Sequence, residues 1–436
     1  MISFNAENVA IDFVGDIHGH CEALRALLAK LGYVEAGGTF RYPGNTRRVV
    51  FLGDYVDRGP KIRETLRLVR AMCEVGSATA LLGNHEFNML SFWSVNGVDG
   101  RFLKKTGAGY LRAHTPRNIK AHFETIKAFV GYEDEFASMQ DFLKGLPLYL
   151  ETDAFRAQHA SFDADAVAAL KRAGVTCFKD GDFATLISRA NDEDGEYNDS
   201  LFHPIDLLLK VPEVALPGGR SFLDTDGKTR YNTRLRWWVN PARSRFAALS
   251  FQEKELGDAF GDCPVPEELK ARAYYREDDR PVFFGHYWLK GEPHLQRDNV
   301  CCRNSATPTI FIIRNVNGSR PIRSGRSSSD SRGCRRNTTT DLRFWCWSVK
   351  EPGTRDCLRR WCGRFRSRKA DSKAIRTVCG MRSPNWVSRN GAPEDVLPEC
   401  GADEHGPHRR APEGRPSQAR RREADVDWVR RLRIDN

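Results

Sequence analysis

The chain has 436 residues, 40% of them hydrophobic, and a formal net charge of +11. That length is enough for two or more domains, and no apolar run approaches the ~18 residues of a membrane-spanning helix. The charge would suit a nucleic-acid binder, but it is uneven: residues 1–300 hold 38 Lys+Arg against 42 Asp+Glu, whereas residues 301–436 hold 30 against 15.

The first residues, MISFNAENVAIDF, lack a basic segment followed by an apolar one, so no signal peptide is predicted and a cytoplasmic location is the default expectation. Ala10–Val14 reads as a strand running into GDIHGH, which brings Asp16 and His18 to its end. Leu24, Leu27, Leu28 and Leu31 then repeat at helical spacing, with Gly32 as a stop. Val49–Leu52 is a second strand, and it runs into GDYVDRG. A buried strand tolerates no unpaired carboxylate, so Asp54, Asp57 and Arg58 are placed past its end. Ile62, Leu66, Val69 and Met72 form a second helical stripe, and Ala78–Leu82 a third strand, ending in GNHE with Asn84, His85 and Glu86.

Strand, loop and helix thus recur, with polar residues at each strand end, where open α/β sheets bind ligands. Two later segments repeat the device. Phe155–Ala157 leads to His159, and Pro281–Phe284 to His286. Asp16, His18, Asp54, Asn84, His159 and His286 offer oxygen and imidazole donors without a thiolate, a set suited to Mn²⁺, Fe or Zn²⁺. One of the two carboxylates could bridge two ions, and two ions roughly 3.5–4 Å apart can clamp a phosphate and activate a water. His85 could protonate a leaving oxygen, Asp57 could orient that imidazole, and Arg58 could take phosphate oxygens bidentately.

GDIHG, GDYVDRG and GNHE, in this order and at these spacings, resemble the three signature motifs of the PPP-type, calcineurin-like metallophosphoesterases. The resemblance covers roughly residues 8–300. It implies a four-layer α/β/β/α sandwich with a dinuclear metal centre at its strand ends. Metal one would take Asp16, His18 and Asp54; metal two would take Asp54, Asn84, His159 and His286. His85 with Asp57 would be the acid pair and Arg58 the phosphate clamp. The segment GHYW has Trp288 where broader relatives carry a second histidine, in agreement with the PPP branch. A second phosphate-binding arginine has no clear motif, and Arg236, in TRLRWW, is the candidate. Two divalent ions, Mn²⁺ first with Fe or Zn²⁺ as alternatives, are the expected cofactors.

Residues 1–300 are therefore expected to form the catalytic domain, with 87–150 as a helical insertion and 151–300 as its second half. Basic residues of the insertion, Lys104, Lys105, Arg112, Arg117 and Lys120, suit a solvated helical face better than a phosphorylated partner. His20, His114, His122, His203 and His294 read as ordinary histidines, and Trp237 and Trp238 as core aromatics.

The tail, 301–436, has 27 Arg, 3 Lys, 4 Leu and eight Cys, and no sustained period of 2 or 3.6. Natural domains are richer in Leu, and disordered tails avoid Trp and Cys. The tail reads as an out-of-frame translation of a GC-rich gene, ahead of a solvated low-complexity tail. A zinc or nucleic-acid module comes last, because no C-x₂-C pair is present. The expected activity is phosphoester hydrolysis by a metal-bridging hydroxide. A phosphoprotein (Ser/Thr) is the first substrate class, a dinucleoside polyphosphate such as diadenosine tetraphosphate the alternative, and an inactive binding remnant the reading of another class. Neither a membrane nor nucleic acid is an expected partner.

Overall fold

The computed structural model describes residues 9–97, 109–196, 199–224, 227–257, 260–261, 263–287 and 295–302, and the backbone of strands at 309–315, 341–348 and 363–366. Two units divide the chain, Met1–Ser367 and Arg368–Asn436, and both main sheets belong to the first. Lys104, Lys105, Trp288 and His294 lie outside the described residues.

Period-2 alternation sets the layering. Along the Ala10–Val14 strand, Ile11 and Phe13 turn to one face and Val14 to the other. Val50 and Leu52 join the first set, and Val49 and Phe51 the second. Phe283 and Cys301 do the same against Val282, Phe284, Val300 and Cys302. The first set meets between two sheets, where Phe13 stacks on Phe283 with ring centroids 4.0 Å apart.

The larger sheet runs Gly363–Arg366, Asp341–Ser348, Thr309–Asn315, Ala10–Val14, Arg47–Phe51, Ala78–Ala80. The smaller runs Val300–Cys302, Val282–Phe284, Arg156–Gln158, Tyr149–Glu151. Ala10–Val14, Arg47–Phe51 and Ala78–Ala80 pair in parallel, so each step needs a crossover. Helices α1 (Cys21–Lys30) and α2 (Ile62–Glu74) lie in those crossovers. The leucine stripe of α1 and the Ile62, Leu66, Val69, Met72 stripe of α2 are buried, each such side chain contributing roughly 1.5–3 kcal/mol.

The insertion supplies α3 (Asn84–Trp93), α4 (Pro116–Ala128) and α5 (Glu133–Lys144). Thr115 caps α4 by accepting from the Asn118 amide, and Pro116 occupies the first turn, where its missing N–H costs nothing. Helices α6 (Ala164–Arg172), α7 (Phe183–Asn191) and α8 (Phe202–Leu209) come next in the chain. Leu170, Ile205 and Leu208 share one core with Val282, Phe284 and Val300 on the outer face of the smaller sheet. The expected four-layer sandwich is the fold found.

The sheets continue past residue 300. Val300–Cys302 pairs in parallel with Val282–Phe284, and Thr309–Asn315 lies antiparallel to Ala10–Val14, with Phe311 opposite Phe13. The boundary expected at 300 therefore falls inside the smaller sheet. TIFII, at 309–313, carries the β-branched and aromatic residues of a strand within a segment whose average composition hides them.

Candidate metal centre

The loops after the Ala10–Val14, Arg47–Phe51, Ala78–Ala80, Arg156–Gln158 and Val282–Phe284 strands converge on Asp54. Its Oδ1 lies 3.4 Å from His159 Nε2 and accepts the His85 backbone N–H at 3.0 Å. Its Oδ2 lies 3.6 Å from His18 Nε2 and 3.9 Å from His85 Nε2. His18, Asp54 and His85 form one group whose ligand atoms fall within 4.8 Å of one another, and Asp54, His159 and His286 form another. Asp54 is common to both.

The remaining donors lie beside these groups. Asp16 Oδ2 is 3.8 Å from His18 Nε2, and Asp16 Oδ1 accepts the His286 backbone N–H at 3.1 Å. Asn84, the first residue of α3, points Oδ1 at His159 Nε2 (2.8 Å) and at His286 Nδ1 (3.0 Å). His286 Nδ1 and His159 Nε2 are 3.3 Å apart. All six residues named as ligands from the motifs are thus brought together.

The donor chemistry fits divalent cations. His18 Nδ1 donates to the Val56 carbonyl and His159 Nδ1 to the Leu52 carbonyl, each at 2.8 Å. These bonds fix the tautomers and turn both Nε2 lone pairs toward Asp54, the arrangement that metal-binding histidines adopt. Burial pushes the His18 pKa down to about 4 against the pull of Asp54, and burial beside the His159 ring pushes His286 well below its ordinary value. Both are neutral at pH 7, as a ligating imidazole must be. For Asp54, burial acts upward, but His159, His85, His18 and His286 outweigh it and hold the carboxyl well below its usual range.

This convergence uses strained backbone. Among the described residues, non-glycine positive φ occurs at His18, Asn45, Asp54, Asp57, Arg58 and His286, and all but Asn45 belong to the candidate site. Such conformations persist only where surroundings over-determine them. Two glycines let the loops touch: a Cβ on Gly53 would come within 2.6 Å of Gly83 Cα, and one on Gly83 within 2.3 Å of Asp54 Oδ1.

The acid pair is in contact, with His85 Nδ1 2.6 Å from Asp57 Oδ2. Burial lowers the His85 pKa, but Asp54 and Asp57 outweigh it and raise it to about 9. Arg58 is exposed, and its Nη2 lies 3.4 Å from His85 Nε2. Arg236 is placed differently from the expectation: its Nη1 pairs with Glu253 Oε2 at 2.7 Å and faces the Ala248 carbonyl, both outside the cluster. Arg234, two residues earlier, pairs with Glu213 at 3.0 Å, and its charge helps burial and His159 to depress His286 against the upward pull of Asp54.

The motifs by themselves assign no role to Glu86, His122 or Thr125. Glu86 is fully buried, and its Oε2 accepts the amides of Asp54 (2.8 Å) and Gly83 (3.0 Å). Its Oε1 accepts those of Tyr55 (2.7 Å) and Val56 (3.1 Å). Its place inside GNHE was the available signal. His122 and Thr125 both bond Asp57, and nothing local marks that pairing. Arg112, half-buried and bonded to Asn88 at 3.0 Å, lies near enough to Asp57 to sense its charge. Trp237 and Trp238 are buried, as expected of core aromatics.

A dinuclear-type cluster at the strand ends of a two-sheet sandwich defines a class, the metallophosphoesterases. The chain belongs to the calcineurin-like phosphoesterase family, whose model matches residues 9–286. Over 116 residues it is 38% identical to a bis(5'-nucleosyl)-tetraphosphatase PrpE [asymmetrical] of Oceanobacillus iheyensis, covering 26% of this chain and 46% of that protein. Over 78 residues it is 40% identical to a symmetrical bis(5'-nucleosyl)-tetraphosphatase of Ralstonia nicotianae, covering 18% of this chain and 23% of that one. The matched stretches thus span less than half of these relatives. A solved serine/threonine phosphatase from Saccharomyces cerevisiae, similar to human phosphatase PP5, aligns over 80% of this chain and 83% of its own at 18% identity and a TM-score of 0.38.

Proposed function

We propose that this protein hydrolyses phosphoryl P–O bonds with two divalent cations and that its substrate is a dinucleoside polyphosphate, cleaved at a phosphoanhydride within its polyphosphate chain. The observation that carries the hydrolase reading is the sharing of Asp54 between two ligand groups. Asp16, His18 and Asp54 would hold one ion, and Asp54, Asn84, His159 and His286 the other. When bound, the ions supply Lewis acidity and an activated water. His85 Nε2 would give a proton to the leaving oxygen as the P–O bond breaks, and Asp57 holds the opposite edge of the ring. Arg58 takes phosphoryl oxygens.

The sequence alone put phosphoprotein first. The names of the curated relatives favour the nucleotide instead. Arginines on both flanks, Arg58 beside His85 and Arg234 near His286, suit a substrate with several phosphates in a row. Diadenosine tetraphosphate and a phosphoserine peptide, assayed with Mn²⁺, separate the two. Faster turnover of the peptide overturns the nucleotide reading. Asp54→Asn should cut turnover of either substrate by more than about 100-fold, since even partners of metal ligands cost 10–100-fold. Surviving hydrolysis removes Asp54 from its shared role.

A further inference from the structure

Asp57 is gripped from both sides. His85 Nδ1 meets its Oδ2 at 2.6 Å. Its Oδ1 accepts from His122 Nδ1 at 2.7 Å and from the Thr125 hydroxyl at 2.6 Å. The Thr125 oxygen in turn accepts the Asp57 backbone N–H at 2.9 Å. His122 and Thr125 stand three residues apart on α4, hence on one face, and both are buried with Asp57. Asp57 also sits at φ +66, so its backbone needs outside support.

We infer that His122 and Thr125 are positioning residues for leaving-group protonation, acting through Asp57 on His85, and that the inserted helix α4 thereby belongs to the catalytic apparatus. The inference rests on the hydrolase reading. A carboxylate with both oxygens engaged by fixed donors has one orientation. With Oδ1 released and no water to replace the donor, the carboxylate rotates and the His85 ring loses its aim at the leaving oxygen. Thr125 holds both the side chain and the amide of Asp57, so it sets the residue's position as well as its direction. His122 Nε2 finds no partner among the described residues, so the bond to Asp57 is the polar contact that accounts for a histidine there.

A purely structural role would lower turnover of every substrate alike. A role in protonation falls hardest on esters with poor leaving groups, because p-nitrophenolate departs with little help. The test compares p-nitrophenyl phosphate with an alkyl phosphate in the Mn²⁺-loaded full chain, for His122→Phe, His122→Asn, Thr125→Val and Thr125→Ser. His122→Phe and Thr125→Val should lose about tenfold or more in kcat on the alkyl ester beyond any loss on p-nitrophenyl phosphate. His122→Asn and Thr125→Ser, which keep a donor, should recover part of it, and Mn²⁺ uptake read by calorimetry should be unchanged. Equal losses on both esters, or a matching loss of Mn²⁺ uptake, overturn the positioning role alone. If His122→Phe fails to fold, the Thr125 pair decides by the same comparison. A wild-type protein that turns over diadenosine tetraphosphate but neither ester overturns this inference and leaves the hydrolase reading standing, and one that turns over none of the three overturns both.

Discussion

Glu86 and Asp54 are tied through the backbone: Glu86 Oε2 accepts the Asp54 amide at 2.8 Å, while Asp54 Oδ1 accepts the amide of His85, Glu86's neighbour, at 3.0 Å. The second and third motif loops are thereby locked reciprocally. The carboxylate that gathers the histidines owes its position to another carboxylate that touches none of them among the bonds described.

Glu86→Gln should therefore be severe. Glu86 accepts four amides with two oxygens, and the glutamine amide turns one acceptor into a donor facing N–H groups. Burial and the Asp54 charge push the Glu86 pKa up to about 7, so the comparison belongs above neutral pH, where each lost bond to a charged group costs about 1.5–3 kcal/mol and a loss of at least ~3 kcal/mol is expected. Urea denaturation measures it, and Mn²⁺ affinity should fall in parallel. An unchanged midpoint removes Glu86 from this role.

Asp12 poses a separate case, a carboxylate buried in the middle of a strand. Tyr33 donates to it at 2.8 Å, and Arg47 pairs with it while also bonding the Leu31 carbonyl at 3.0 Å. Asp12→Asn leaves Arg47 buried without its counter-charge and should destabilise by about 3–5 kcal/mol. The cluster is distinct from the Asp54 group, so kcat measured well below the melting transition should stay within about twofold, as for independent sites. A large fall in kcat would contradict that separation.

The two arginines of TRLRWW should behave differently. Arg234 is also ion-paired, with a half-exposed Glu213 at 3.0 Å, but its charge reaches His286. Substrate binding exchanges that weak pair for a phosphate, so Arg234→Ala should raise KM for a polyphosphate substrate by about tenfold, the size of one charge-assisted contact. Arg236→Ala removes an ion pair with a half-exposed Glu253 and should leave KM within about twofold. Steady-state kinetics on both variants decides between them, and the reverse pattern would restore the sequence-based choice of Arg236.

The end of the catalytic unit is open to the same treatment. A chain ended at Asp298 lacks Val300–Cys302 and Thr309–Asn315, which pair with the Val282–Phe284 and Ala10–Val14 strands. It should be insoluble or lack a cooperative melt, since a domain is stable by only about 5–15 kcal/mol. A chain ended at Ser367 should melt cooperatively. Full Mn²⁺-dependent turnover by the shorter chain would show these strands to be dispensable. Sequencing the gene across codons 290–305 tests the out-of-frame reading of the tail.

Much of this architecture is written locally. Apolar runs such as VVFL, helical stripes such as Leu24–Leu31 and the glycines of the motif loops each act over a few residues, and local propensity with period-2 or 3.6 burial is enough to express them. The six expected ligands come with them, because a polar residue just past a buried strand has one place to go. Contacts between distant segments have no such local mark. Nothing in AHFET announces that His122 and Thr125 will meet Asp57 sixty-odd residues upstream, and nothing in TRLRWW says which arginine turns to Glu253. Those choices depend on how α4 docks and how one short strand ends, so packing of the whole sandwich decides them. The chain alone determined the fold class and the set of donors around Asp54. The tertiary structure decided their partners, because hydrogen-bond geometry between remote loops exists only once the two sheets have closed on each other.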